Sequence, residues 1–367
     1  METKERKNLM KVLYLINHAG KAGTEKYVYN LVKAYKDKKC ECYFAYNEEG
    51  LLLTQMKEEN IPCFQFEMKH PFDIKAAKKL AGYLKENEID VVHAQYPREN
   101  YIALLSKLFY KKTKVVFTSH LTIKTNFLWK ITNKIMTPFN HKIISVCNHG
   151  KELLIGNGVK KDKIEVIFNA MTIDKEETNS TIREELSLKD EFLIVTLARY
   201  HFAKGLPFLV DSIKKLKEIA TVPFKVLIVG DGELWDEITE KIKNEGLTDT
   251  ILQLGFRKDT DNILSGCDLF VNSASCLEAL SFAMLEALSK KLPLVATNVG
   301  GNSDIVNPDT DCGIIVDYPD TVGMANAINT LMNDKDMYER MSQNAIKAIE
   351  GRFNYDRMLD KTFDIYI

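Results

Sequence analysis

Long apolar runs are missing from this chain of 367 residues. No stretch reaches the ~20 consecutive apolar residues of a membrane-spanning helix, which argues against a helical transmembrane protein. Net charge is also nearly absent. Fifty Lys and Arg stand against 51 Asp and Glu, leaving a formal charge of −1. That balance argues against a protein built to wrap nucleic acid, and no nucleic-acid motif occurs. Cysteine is scarce and odd in number, at seven. No C-x-x-C and no Cys/His set has zinc spacing, so a zinc module and a disulfide framework are both disfavoured. Cys40 and Cys42 alternate along an expected strand and make a poor disulfide pair. The first ten residues, METKERKNLM, lack the apolar core of a signal peptide. The expectation is a cytoplasmic protein with reduced, buried thiols. Low-complexity tracts and short repeats are lacking too.

What remains is ordinary globular material, 45% apolar and 28% charged. At roughly 150 residues per domain the length suggests two domains. Apolar runs of strand length alternate with longer helical patterns. Strands are expected at 12–17, 42–46, 63–66, 91–95, 115–119, 143–146 and 165–168. A second series falls at 193–197, 225–229, 252–255, 269–271, 294–297 and 314–317. Their Val/Ile/Leu-rich character suits parallel strands buried on both faces. Amphipathic stretches between them include 25–35, 74–86, 206–218 and 322–333. Repeated β-α units predict doubly wound α/β domains. The polar segment 171–180 separates the two series and reads as a hinge. The expected domains are 1–172 and 173–350, followed by a C-terminal helix, 351–367. Ligands of such sheets bind beyond the carboxyl ends of the strands.

Several candidate residues fall at those ends. His18-Ala-Gly-Lys-Ala-Gly-Thr-Glu25 follows the first strand, and Gly20 and Gly23 permit a tight turn at a helix N-terminus. Its spacing matches neither a dinucleotide fingerprint nor a Walker A loop. Gly230-Asp-Gly-Glu-Leu-Trp235 puts Trp where a dinucleotide fold needs its third glycine, so a nicotinamide dehydrogenase is disfavoured. Arg199 and Lys204 flank a strand end before Gly205. A planar cationic fork and a point charge suit a diphosphate, and two solvated surface cations are the plainer reading. Glu278 and Glu286 bracket a helix start in apolar surroundings. Ideal helix geometry would set them about 80° and about 12 Å apart, too far to share a proton. They would suit two parts of one extended ligand. The N–H groups of Ala279, Leu280, Ser281 and Phe282 could then meet phosphate oxygens. His120 ends a strand and can carry a hydrogen bond or a proton. His93 reads as a satisfied buried or loop residue. Asp259-Thr-Asp261 and Asp309-Thr-Asp311 have D-x-D spacing, but both sit in capping turns, and no metal is expected there.

Together these residues resemble the retaining glycosyltransferases of family 4, which have the GT-B fold. The E-x7-E element from Glu278 to Glu286 carries the resemblance most strongly. Supporting matches are Ala22-Gly-Thr-Glu25, Ser145-Val-Cys-Asn, Asn169-Ala, Arg199 with Lys204-Gly, Gly230-Asp-Gly, Gly255-Phe-Arg257 and Cys267-Asp-Leu-Phe-Val. They occur in family order over essentially the whole chain. The resemblance implies two Rossmann-like domains facing across a cleft and a final helix that returns to the first domain. It implies a nucleotide-sugar donor, by family frequency a UDP-sugar. Arg199 and Lys204 would neutralise its diphosphate, Glu286 would hold the ribose and Glu278 the sugar. Residues 279–282 would meet the phosphates, and Gly230 would form a tight turn near the nucleotide. Gly255, Phe256 and Arg257 would lie by the base, with Gly23 near the diphosphate and His120 near the sugar. No cofactor is implied, because the donor is a substrate. The acceptor would be a glycan or a lipid-linked glycan, in an extracellular or capsular polysaccharide pathway. Two departures stand out: Ala279 replaces a usual glycine, and Ala22-Gly23 replaces a glycine pair.

The charge splits at the hinge. Residues 1–172 carry +11 and residues 173–367 carry −12. In the basic half, 101–114 and 127–142 mix cations with apolar side chains. Such stretches suit an anionic membrane surface, against the alternative that each apolar face is core. The expected localisation is therefore cytoplasmic, with possible peripheral contact at the inner face of the plasma membrane. A GT-B-like sugar-nucleotide epimerase and a non-catalytic two-lobed sugar-binding protein are the competing readings. The second would need an export signal.

Overall fold

The computed structural model describes residues 9–20, 23–36, 38–173, 179–276 and 278–367. The chain divides into two compact units. One comprises Met1–Phe168 with Asp356–Ile367, and the other Asn169–Tyr355. The first division thus falls four residues before the boundary read from the sequence, and the second five residues after it. Residues 174–178 of the expected hinge, Lys21 and Ala22 of the first loop, and Leu277 lie outside the described residues.

The first unit is built on seven strands: β1 (Met10–His18), β2 (Cys40–Glu48), β3 (Cys63–Gln65), β4 (Val91–Ala94), β5 (Lys114–Ser119), β6 (Lys142–Ser145) and β7 (Ile164–Val166). Their order is β3-β2-β1-β4-β5-β6-β7, and every pairing is parallel. Val12 to Ile16 of β1 have no exposed surface, because helices cover both faces of a parallel sheet. Chain direction across the sheet reverses between β1 and β4, which opens a crevice at their carboxyl ends. The last helix, Tyr355–Tyr366, belongs to this unit. Its Tyr366 is fully buried, and the Tyr366 hydroxyl lies 2.6 Å from His93 Nδ1. The other ring nitrogen of His93 meets Thr118 Oγ1 at 2.7 Å. His93 is therefore a satisfied core residue that latches the final helix. Burial pushes its pKa down to about 3.

The two basic stretches part company in the structure. Tyr101, Ile102, Ala103 and Leu104 of the first are buried core, and only its tail, with Leu108 and Phe109, is exposed. The second forms the helix Phe127–Met136, in which no residue is buried.

The second unit has six strands: β8 (Phe192–Leu197), β9 (Phe224–Val229), β10 (Ile251–Gly255), β11 (Leu269–Asn272), β12 (Leu294–Thr297) and β13 (Gly313–Val316). They are all parallel, in the order β10-β9-β8-β11-β12-β13. Here the reversal lies between β8 and β11. The helices Leu206–Ile219 and Thr321–Asn333 pack on one face through Leu209, Ile213, Met324 and Ile328, all without exposed surface. Both sheets are thus doubly wound, the two-domain composition that the resemblance implies.

Cys40, Cys42, Cys147, Cys267 and Cys312 are buried thiols outside any disulfide. They behave as small apolar residues in these cores.

Candidate functional site

The candidate residues of the second unit gather where β8, β9, β11 and β12 end. After β8 the chain passes Arg199, makes a short 3-10 turn at Phe202–Lys204, and enters the helix Leu206–Ile219 through Gly205. Gly205 has φ +62°, and a Cβ there would lie 2.0 Å from the Ser273 carbonyl oxygen. Only glycine lets the β8 and β11 loops approach so closely. Hydrogen bonds then tie the loops together. Ser275 N donates to Ala203 O at 3.0 Å, Ser273 Oγ to Lys204 O at 2.9 Å, and Ser275 Oγ to Phe202 O at 2.9 Å.

This seam places Lys204 Nζ 2.7 Å from Glu278 Oε2. The Glu278 side chain is only 9% exposed and that of Lys204 33%. The main chain at Glu278 is set from the β12 side. Gly300 has φ +58°, and a Cβ on it would fall 1.8 Å from the Glu278 carbonyl oxygen. Three strand-end loops therefore converge on one cation–carboxylate pair. Arg199 lies beside it in sequence, exposed, with no side-chain ion pair among the described residues.

The β9 loop is clasped to the β8 loop by the same device. A Cβ on Gly230 would lie 2.1 Å from Ala198 O, and one on Gly232 would lie 2.6 Å from Tyr200 O. Tyr200 N donates to Asp231 O at 2.7 Å. Trp235 opens the next helix and sets its ring 4.9 Å from that of Tyr200. The indole packs against the core through Tyr200, which is fully buried.

One expectation changes. Helix Phe282–Ser289 begins four residues after Glu278, so the helical estimate of the Glu278–Glu286 separation does not apply. Glu278 sits in a loop and Glu286 in the helix, half-buried. Leu280 and Ser281 are buried, with Ser281 at the N-cap position. Leu280 O accepts from Asn169 Nδ2 at 3.3 Å, which gives the Asn169-Ala match a structural role. The Arg257 guanidinium is fully engaged. It meets Glu185 at 2.6 and 3.0 Å and Asp259 at 2.8 and 2.7 Å. These hydrogen bonds raise the arginine's pKa and hold Asp259 well below the usual carboxylate range. Arg257 braces its own turn and offers no unpaired charge. Gly255 has φ +67° with nothing near its missing Cβ, so the conformation alone requires glycine. Phe256 beside it is 53% exposed. Asp261 pairs with Lys290 at 3.2 Å, and Asp311 with Arg340 at 2.9 Å.

In the first unit, Gly23 opens the helix Gly23–Tyr35 after β1, and His120 follows β5. His120 Nε2 lies 2.9 Å from Gln95 Oε1, while Gln95 Nε2 donates to His93 O at 3.1 Å. The amide oxygen can only accept, so His120 Nε2 carries the proton and Nδ1 has the lone pair. The ring packs edge-on to Tyr27 at 4.9 Å. Burial pushes its pKa down to about 3, so the imidazole is neutral near pH 7.

Sequence reasoning passed over Gly300, Ser273, Ser275 and Gln95. The glycine pair 300–301, just beyond an apolar run, was the one available signal. The serines are marked only by tertiary contact.

The chain matches the family Glycosyltransferase Family 4 over residues 22–175 and the family Glycosyl transferases group 1 over residues 178–348. It is 25% identical over 332 residues to the N-acetylgalactosamine-N,N'-diacetylbacillosaminyl-diphospho-undecaprenol 4-alpha-N-acetylgalactosaminyltransferase of Campylobacter jejuni, covering 86% of this chain and 85% of that one. It is 28% identical over 312 residues to the UDP-Gal:alpha-D-GlcNAc-diphosphoundecaprenol alpha-1,3-galactosyltransferase of Escherichia coli, covering 80% and 79%. The crystal structure of Anabaena Alr3699/HepE in complex with UDP and glucose superposes with a TM-score of 0.84 at 20% identity, over 97% of this chain and 98% of that one. With two such family regions in tandem on two doubly wound parallel sheets, the chain belongs to the GT-B glycosyltransferases.

Proposed function

We propose that the protein is a retaining glycosyltransferase that moves a sugar from a UDP-sugar to a lipid-linked glycan acceptor, in the assembly of an extracellular or capsular polysaccharide. The observation that carries this reading is the glycine-enforced convergence of three loops on the Lys204–Glu278 pair, with Arg199 alongside. A diphosphate needs cations held at fixed positions, and these are built on strand ends without long mobile segments. Two relatives named for diphospho-undecaprenol substrates support a lipid-linked acceptor, and the UDP complex of a structural neighbour supports the donor.

In the proposed reaction the bond from the anomeric carbon to the diphosphate breaks, and the acceptor oxygen bonds to the same face of that carbon. The acceptor proton passes to the departing phosphate oxygen. Arg199 and Lys204 take up the charge that develops on the leaving group. Glu278 binds donor sugar hydroxyls, and Glu286 binds the ribose. The backbone from Ala279 to Phe282 meets the phosphates, Gly230 and Gly23 keep the approach to the diphosphate open, and Gly255 and Phe256 lie by the base. Arg257 holds that turn in shape. Neutral His120 presents Nδ1 as an acceptor to a sugar hydroxyl. Glu278 already holds a cation at 2.7 Å, which favours binding over nucleophilic attack. The diphosphate is neutralised by side chains, so the reaction is proposed to need no metal.

We place this activity at the cytoplasmic face of a membrane. No helix among the described residues is long and apolar enough to cross one. The helix Phe127–Met136 offers Phe127 and Leu128, each 73% exposed, and Ile135, 60% exposed, to a peripheral surface. A thermal-shift panel of nucleotide sugars tests the donor. A ligand at 100 times its Kd stabilises by about 2.7 kcal/mol. The expected result is an upward shift with one UDP-sugar. No shift with any nucleotide sugar or with UDP would refute the reading. Acceptor-dependent release of free UDP separates a transferase from an epimerase.

A further inference from the structure

The helix Phe127–Met136 covers a cavity of about 440 Å³ in the first unit. Its wall is largely apolar and includes Phe117, Leu121, Ile123, Trp129, Leu154 and Val159. Pockets of this size hold one small ligand. Ser119, which precedes His120, borders the same space. The helix is held as a roof by Trp129, whose ring packs against Phe72 and Tyr101, and by hydrogen bonds. Asn133 Nδ2 donates to Asn157 O at 2.8 Å, and the Tyr101 hydroxyl donates to Asn133 Oδ1. Gly158, at φ +94°, lets the roof sit close, since a Cβ there would lie 2.5 Å from Lys130 O. The approach segment is pinned by Asn157, whose Oδ1 accepts from Thr125 N at 3.0 Å and whose Nδ2 donates to Ile123 O at 2.8 Å. Thr125 Oγ1, also at the cavity, is buried without a hydrogen-bond partner.

The segment that builds most of this cavity is basic. Between Glu99 and Glu152 the chain has no acidic residue and nine lysines. Lys124 lines the cavity, and Lys130 and Lys134 stand on its roof. At the mouth, Leu121 and Ile123 are 47% and 54% exposed. An apolar cavity with exposed apolar side chains at its mouth and lysines on its lining and roof fits an apolar chain that ends in an anion.

We propose that this cavity binds the first isoprene units of a polyprenyl diphosphate, with the surrounding lysines meeting the diphosphate. The inference deepens the lipid-linked acceptor reading and rests on it. It assigns the hydrocarbon of the acceptor a specific seat within the first unit.

The chain has two tryptophans, so Trp235→Phe leaves Trp129 as the sole reporter, on the cavity wall. Farnesyl diphosphate should produce a saturable change in Trp129 fluorescence, and inorganic diphosphate none. Val159→Phe fills the cavity, and Ile123→Glu sets a repelling charge at the exposed mouth without disturbing the core. Each should weaken binding by about tenfold, the effect of excluding a couple of buried methylene groups. No saturable change, or affinity in both variants unchanged from the parent protein, would overturn the proposal. Transfer assays separate the two claims. If Ile123→Glu leaves KM for a polyprenyl-linked acceptor unchanged, the cavity proposal falls and the acceptor reading stands. If farnesyl diphosphate binds at Trp129 but no polyprenyl-linked sugar is ever glycosylated, the cavity stands and the acceptor reading falls.

Discussion

Gly300→Ala separates a backbone-fitting role from a merely flexible one. The new methyl would sit 1.8 Å from the Glu278 carbonyl oxygen, in a residue at φ +58°. The left-handed conformation alone costs about 1–2 kcal/mol for a residue with a Cβ. The clash adds to that, because the carbonyl must retreat by about an ångström or more, and Glu278 retreats with it. Displacement of that size in a reacting constellation costs on the order of 100-fold in rate. Gly246→Ala is the matched control. Gly246 has φ +66°, and nothing lies within 4 Å of its missing Cβ. Thermal unfolding should show both variants destabilised, with Gly300→Ala the worse. Titration with UDP and steady-state transfer should show only Gly300→Ala impaired. If the two variants have the same kcat/KM and the same UDP affinity, Gly300 does not set Glu278, and the convergence argument is wrong.

Three further outcomes follow from the same physics. Glu99 is fully buried, neither carboxylate oxygen has a partner, and burial pushes its pKa up to about 7. The folded state then holds this proton more tightly than the unfolded state, so stability is lost as pH rises through about 4.5 to 7. Glu99→Gln should gain about 3 kcal/mol at pH 8 and nothing near pH 4, read by denaturant unfolding across pH; a pH-independent difference would contradict this. Tyr366→Phe removes the hydroxyl that meets His93 at 2.6 Å, and should cost about 1–3 kcal/mol because the ring nitrogen stays buried. Unchanged stability would mean that the final helix is held elsewhere. Transfer activity should persist in excess EDTA, and a strict Mg²⁺ requirement would count against side-chain neutralisation of the diphosphate.

Much of the fold was legible in the sequence. Buried parallel strands are written as continuous apolar runs, and all thirteen expected strands occur, displaced at their ends by up to two residues. β2 starts at Cys40, two residues early, because the exposed Glu41 interrupts the apolar signal without interrupting the ladder. Candidate residues at strand ends were legible for the same reason. Less so was which amphipathic face is core. Residues 101–104 are buried while the helix Phe127–Met136 buries nothing, although both stretches mix lysine with apolar residues. That choice is made by tertiary packing. The Glu278–Glu286 geometry was misread because nothing local to the segment marks Phe282 as the helix start; Ser281 sits at the cap but makes no side-chain capping bond. The tie between Arg257 and Glu185 joins residues 72 positions apart, which no local pattern records.

In the proposed reaction Lys204 is a cation aimed at the leaving diphosphate. The direct measurement is acceptor-dependent UDP release from the cognate UDP-sugar by the native protein and by Lys204→Ala, with folding verified by thermal unfolding. The expected result is a loss of about 100-fold or more in kcat, as for removal of a group that stabilises developing charge. Native-like turnover in the folded variant would contradict it.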